Sequence, residues 1–168
     1  MVRFRYLSWS EYGELVGALS NLVNSSGREF DVVVGIARGG LPVALAVADE
    51  LEATLDFVTV KSYTGIAERK RPKILRTVTE SVRGRRVLVV DDIVDHGETM
   101  KAVVRHLRED RPRLVRTAAI FTKPWTTFDP DFSLREVSSW VVFPYERREV
   151  ERLRARPAHL AEIKKRSR

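Results

Sequence analysis

A chain of 168 residues that is 43% hydrophobic can bury one substantial core but not two of full size, so one domain with small appendages is expected over 1–168. The absence of cysteine excludes disulfides and thiolate zinc sites, and three scattered histidines argue against a zinc-centred enzyme, so any metal should be a hard ion held by oxygen. The net charge of +7 is concentrated in 147–168, where nine Lys/Arg stand against three Glu, and this tail is expected to be a solvated helix and frayed end before it is a nucleic-acid contact.

In chain order, Ser8-Trp9-Ser10-Glu11 has capping-box spacing, and Tyr12, Leu15, Val16, Leu19, Leu22 and Val23 follow at helical intervals as far as Ser25-Ser26-Gly27. The Val-rich run 30–37 reads as a strand buried on both faces, broken by Gly39-Gly40. Leu41, Ala44, Leu45, Ala48 and Leu51 restore a helical stripe, and 55–61 reads as the next strand. Residues 62–73 carry Gly65, Pro72 and many charges without a period, which predicts an exposed loop, with a further strand near 74–79. Arg86-Val87-Leu88-Val89-Val90 is the most hydrophobic strand and ends in Asp91-Asp92. Met100, Val103, Val104 and Leu107 mark a helix from near Gly97, and 114–121 supplies another strand. This alternation predicts an α/β fold, a Rossmann-like mainly parallel sheet with helices on both faces and a core over about 28–121. From 122 to 150 the pattern changes to Pro, Trp, Asp and short β-like pieces, expected as a small hood, and 151–168 is the basic tail. No apolar run approaches the ~20 residues that cross a bilayer, and the opening residues lack a signal peptide's apolar stretch, so a soluble, cytoplasmic protein without a membrane partner is expected.

Ligands of parallel α/β sheets bind at the carboxyl ends of strands. The segment Val87-Leu88-Val89-Val90-Asp91-Asp92-Ile93-Val94-Asp95-His96-Gly97-Glu98-Thr99 suits that place. Two adjacent acids close a buried strand, and a Gly-containing loop then enters a helix whose N–H groups and dipole favour a phosphate, with the Thr99 hydroxyl as a further donor. The acids repel that phosphate and should meet hydroxyls or a metal, so a phosphorylated sugar is the ligand that wants both. An acidic strand end with an ordinary helix cap would account for Asp95 and Gly97, but not for the Asp91-Asp92 pair.

This segment resembles the signature with which type I phosphoribosyltransferases bind 5-phosphoribosyl-1-diphosphate (PRPP). The resemblance implies that Asp91 and Asp92 serve the ribose hydroxyls, directly or through Mg²⁺, and that Asp95, His96, Gly97, Glu98 and Thr99 wrap the 5-phosphate. Asp95 would also take the proton from the base's imidazole nitrogen. His96 stands where the family generally has Thr or Ser, so a hydroxyl is lost although the backbone N–H remains. Val34-Gly35-Ile36-Ala37-Arg38-Gly39-Gly40 is similar to the family's diphosphate loop, which implies diphosphate binding by Arg38, Gly39 and Gly40 and, in some members, a non-proline cis bond, here Ala37-Arg38. Lys61 and Ser62 would begin the mobile loop that closes over PRPP, and Arg69, Lys70, Arg71, Lys73 and Arg76 suit a polyanionic substrate.

The likeness extends over about 6–149 and is nearest to the compact hypoxanthine/guanine/xanthine enzymes of microbes and archaea. Phe121-Thr122-Lys123-Pro124 and Trp140-Val141 are similar to their base site, which implies Lys123 as donor to a purine's 6-oxygen, Trp140 as stacking ring and Val141 as a backbone contact. Trp125 is read as packing within the hood. A lysine donor favours a 6-oxo group over adenine's amino group, because two facing donors leave buried polar groups unpaired. The expected activity is therefore Mg²⁺-dependent transfer of ribose 5-phosphate from PRPP to a 6-oxopurine in purine salvage, by a homodimer or higher oligomer. Two alternatives remain at this point: a PRPP-sensing regulator that binds nucleic acid through basic surface, and an enzyme for adenine, orotate or uracil.

Overall fold

Val-rich runs alternate with helical stripes along most of the chain, and in the computed structural model, which describes residues 3–61 and 72–154, they pair into a six-stranded sheet. The elements in order are β1 (Phe4–Tyr6), α1 (Trp9–Asn24), β2 (Val32–Ala37), α2 (Gly40–Glu50), β3 (Thr54–Lys61), β4 (Lys73–Arg76), β5 (Arg86–Val94), α3 (Glu98–Glu109), β6 (Leu114–Thr122), β7 (Phe132–Glu136), β8 (Trp140–Val142) and α4 (Arg147–Arg154). Two compact units form: Val16–Glu136 holds the sheet, and the residues before and after it make the smaller one. The arginines and lysine at 69–71, and the part of the basic tail beyond 154, lie outside the described residues.

The sheet order is β4-β3-β2-β5-β6-β7, parallel throughout except for the antiparallel β3–β4 pair. Side chains alternate faces along a strand, and the two faces take different helices. Val32, Val34, Ile36, Val87 and Val89 are buried together with Met100, Val103, Val104 and Leu107 of α3. The opposite face meets α2 so closely that a Cβ on Gly35 would lie 2.8 Å from the Cβ of Ala44. Each of these fully buried Val and Leu side chains contributes roughly 1.5–3 kcal/mol by leaving water. Helices thus cover both faces, as the alternation predicts.

Three elements differ from the sequence reading. β5 does not stop at the acids but continues to Val94, because Ile93 and Val94 still pair with Phe121 and Thr122 of β6. Part of the expected hood, Phe132–Glu136, adds to the sheet as an edge strand parallel to β6. β4 ends at Arg76, short of the expected 79, where the chain turns toward the buried carboxylate of Asp56. Asp56 accepts from the N–H groups of Phe57 (2.7 Å), Thr79 (2.6 Å) and Glu80 (2.8 Å) and from the Thr79 hydroxyl (3.1 Å). Burial pushes this carboxyl's pKa up, but those donors outweigh burial and hold it below the ordinary value.

In the smaller unit β1 and β8 form a two-stranded parallel sheet, with Phe4 opposite Trp140. Tyr12, Phe143 and Tyr145 pack their rings together, and the Arg147 guanidinium donates to the carbonyl of Leu7 at 2.8 Å. The Ser8 hydroxyl accepts the N–H of Glu11 at 3.0 Å, which caps α1 as the spacing predicts. No helix among the described residues is long and apolar enough to cross a membrane.

At the amino-terminal edge of the sheet Asp31 accepts from the Arg86 backbone N–H (2.7 Å), Nε (3.1 Å) and Nη2 (2.5 Å), while Arg86 also pairs with Glu29. The Arg86 side chain and backbone N–H hold the Asp31 carboxyl at about 2, below its usual 3.8. A depressed carboxyl pKa stabilises the fold above the unfolded value, and that stability is lost as pH falls through the folded one. Asp31→Asn should therefore melt at lower temperature than the parent at neutral pH, and the gap should narrow between about pH 4 and about pH 2. Melting curves across that window test this, and a gap of constant size would refute it.

Candidate active site

β2 and β5 are neighbours and parallel, so the loops after them emerge side by side at the carboxyl end of the sheet. After β2 the Ala37–Arg38 peptide is cis, and Gly39 returns to ordinary helical dihedrals (φ −61°, ψ −38°) at the start of α2. This turn rests directly on the two acids of β5. A Cβ on Gly39 would sit 2.2 Å from Asp92 Oδ2, and one on Gly40 would sit 2.6 Å from the Val90 carbonyl oxygen and 3.0 Å from the Asp91 Cα. A Cβ at Gly40 would meet strand backbone and one at Gly39 the Asp92 side chain, so neither fits unless its neighbour moves. Asp92 is buried at 6% exposure, while Asp91 is half-buried and accepts the Asp92 N–H at 3.0 Å. Arg38 and Lys61, at the ends of β2 and β3, are exposed. Among the described residues no group of three or more His, Asp or Glu could hold a metal ion by protein ligands alone.

Beyond β5 the loop 95–97 leads into α3. Gly97 has φ +88°, a left-handed conformation, and a Cβ there would lie 2.3 Å from the Cβ of Phe128, so both backbone and packing demand glycine. The Lys101 N–H donates to the Gly97 carbonyl at 2.9 Å, which starts the helical ladder at the amino-terminal end of α3. Such an end attracts an anion. The His96 side chain is exposed with Nδ1 3.3 Å from Asp95 Oδ1, and its backbone carbonyl accepts both the N–H (3.2 Å) and the hydroxyl (2.9 Å) of Thr127.

The segment 123–128 runs beside this loop. The Lys123 N–H donates to the Val94 carbonyl at 3.0 Å, and the Lys123 side chain is buried at 7% exposure. Burial lowers the Lys123 pKa, and the nearby Asp95 charge opposes that shift. Trp125 does more than pack: its Nε1–H donates to Asp95 Oδ1 at 2.7 Å, and Lys123 Nζ lies 5.3 Å from the centre of its ring. The larger unit therefore brings together Arg38, Gly39, Gly40, Asp91, Asp92, the loop 95–99 and Lys123. Trp140, half-buried with its ring 6.5 Å from that of Phe4, and the buried Val141 belong to β8 of the smaller unit. Sequence reasoning missed Trp125 and Thr127 as partners of Asp95 and His96 in this loop. The available signal was an indole donor two residues after the lysine.

A family model described as phosphoribosyl transferase domain matches residues 6–149. The chain is similar to the xanthine-guanine phosphoribosyltransferase of Cereibacter sphaeroides, 32% identical over 149 residues that cover 84% of this chain and 86% of the relative. Among solved structures it is similar to a purine phosphoribosyltransferase from Pyrococcus horikoshii, with a TM-score of 0.76 at 29% identity over 84% of this chain and 93% of that one. A Helicobacter pylori xanthine-guanine-hypoxanthine phosphoribosyltransferase shares the fold, with a TM-score of 0.73 at 20% identity over 91% and 99% of the two chains.

Proposed function

The chain belongs to the phosphoribosyl transferase domain family, and from that premise we propose that it transfers ribose 5-phosphate from PRPP to a 6-oxopurine, hypoxanthine, guanine or xanthine, with release of diphosphate. The observation that carries this reading is the buried Lys123 beside Asp95, at the carboxyl end of the sheet that holds the acid pair and the phosphate-type loop. An ammonium at that place can donate to a purine 6-oxygen, whereas an exocyclic amine there would set two donors face to face. The names of the relatives from Cereibacter and Pyrococcus support a purine.

In this reading the helix end at 97–99 binds the 5-phosphate and Asp91 and Asp92 meet the ribose hydroxyls. The turn 38–40 supplies N–H groups and a guanidinium to the diphosphate. The bond between ribose C1 and the diphosphate oxygen breaks as the base nitrogen forms its bond to C1, through a state with positive charge on the sugar. The proton leaving the base nitrogen goes to Asp95, which lies within reach of the same face as Lys123. Asp91 and Asp92 offer oxygen donors without a complete protein shell, which fits Mg²⁺ held partly by substrate oxygens and water. When bound, that ion would neutralise charge on the departing diphosphate.

The test is a panel assay of the protein with PRPP and Mg²⁺, following nucleotide formation from hypoxanthine, guanine, xanthine, adenine, orotate and uracil. Conversion of 6-oxopurines alone is expected. Conversion of adenine or a pyrimidine in preference would overturn the role given to Lys123, and PRPP binding without conversion of any base would overturn the enzyme reading.

A further inference from the structure

Asp95 and Lys123 follow paired strands, and the pairing of Val94 with Thr122 fixes their backbones. It does not fix the rotamers of two charged side chains, one of them 45% exposed. Trp125 touches both. Its N–H donates to Asp95 Oδ1 at 2.7 Å, at the short end of the range for a charged acceptor, and its ring face carries the Lys123 ammonium at 5.3 Å. Asp95 Oδ2 accepts no hydrogen bond among the described residues, so the indole holds one oxygen and leaves the other for a proton. Indole has a single donor and no acceptor, so it cannot compete for that proton. The backbone of the segment is tied separately, by Lys123 to Val94 and by Thr127 to His96.

We propose that Trp125 is a positioning residue, whose N–H orients the carboxylate of Asp95 for proton removal from the base and whose ring orients Lys123 for the base's oxygen. This rests on the roles given to Asp95 and Lys123 above. A carboxylate free to turn spends less time in reacting geometry, and misplacement alone can cost one to two orders of magnitude in rate.

The test compares Trp125→Phe, Trp125→His, Trp125→Leu, Asp95→Asn and the double variant Trp125→Phe/Asp95→Asn, reading kcat, KM for the base, KM for PRPP and melting temperature. Phe keeps a ring face but no donor, so kcat should fall about tenfold with both KM values within about twofold. His restores a ring N–H and should recover part of that kcat. Leu removes donor and face together, so the KM for the base should rise about tenfold as well. In the Asp95→Asn background, Trp125→Phe should cost nothing further, because the group it positions has lost its chemistry. An unchanged kcat in Trp125→Phe beside a lowered one in Asp95→Asn would overturn the positioning role alone, as would full additivity of the two. An unchanged kcat in Asp95→Asn would place the failure in the role of Asp95 itself. If Trp125→Leu does not fold, the Phe and His pair still decides the question.

Discussion

Asp95→Asn is expected to lower turnover by about 10²–10⁴-fold, the range of a lost general acid–base group, with the KM for PRPP little changed. The substitution keeps the shape of the side chain and removes its chemistry. Asparagine matches aspartate in size, and its amide oxygen can still accept the Trp125 N–H that now meets Oδ1 at 2.7 Å. The amide NH₂ then occupies the place of Oδ2, presenting a donor where the base needs an acceptor. Because the Asp95 side chain is 45% exposed, the fold should lose no more than about 0.5 kcal/mol. Steady-state kinetics with the preferred base and a melting curve measure both quantities. Unchanged turnover would remove Asp95 from the proton transfer.

The second large effect is expected from a single methyl group. Gly39 has φ −61° and ψ −38°, dihedrals open to alanine, so Gly39→Ala introduces no backbone strain. Its Cβ would nevertheless fall 2.2 Å from Asp92 Oδ2 and 2.7 Å from Asp92 Cγ. The obstruction is a side chain, which can rotate away, so the cost to folding should stay within the roughly 1–3 kcal/mol of ordinary overpacking. The cost to function should be far larger, because the displaced group is one of the two acids expected at the ribose. A fall of about 10²-fold in kcat/KM for PRPP is predicted. Gly40→Ala is a poorer probe, since its Cβ would meet the Val90 carbonyl at 2.6 Å, and a backbone strand cannot step aside. If Gly39→Ala folds and keeps its kcat/KM for PRPP, Asp92 does not act from the position it holds beside that glycine.

Much of this site was legible because its parts are local in sequence. The apolar run of β5, the acids after it and Gly97 lie within a few residues of one another, and each has a physical reason to be there. Strand ends were harder. Asp91 and Asp92 look like terminators because aspartate disfavours strands, yet pairing with Phe121 and Thr122 carries β5 to Val94. β7 has no apolar run to announce it, and exists because β6 offers it an edge. The pairing of β1 with β8 joins residues from the two ends of the described chain, and no periodicity in either segment could reveal its partner. Trp125 was misread for a related reason. A tryptophan in an irregular segment looks like core, and only the fold brings its N–H to Asp95.

The lacing of 123–128 onto 94–97 has a consequence for any attempt to exchange parts between relatives. The stretch that carries Lys123 also holds the carbonyls of Val94 and His96 and fills the space over Gly97. A foreign segment spliced in at 123–128 alone would exchange Lys123 and unmoor the loop 95–97 in the same stroke. The two stretches behave as one cassette, and a chimera that moves them together should retain turnover that either graft alone would lose.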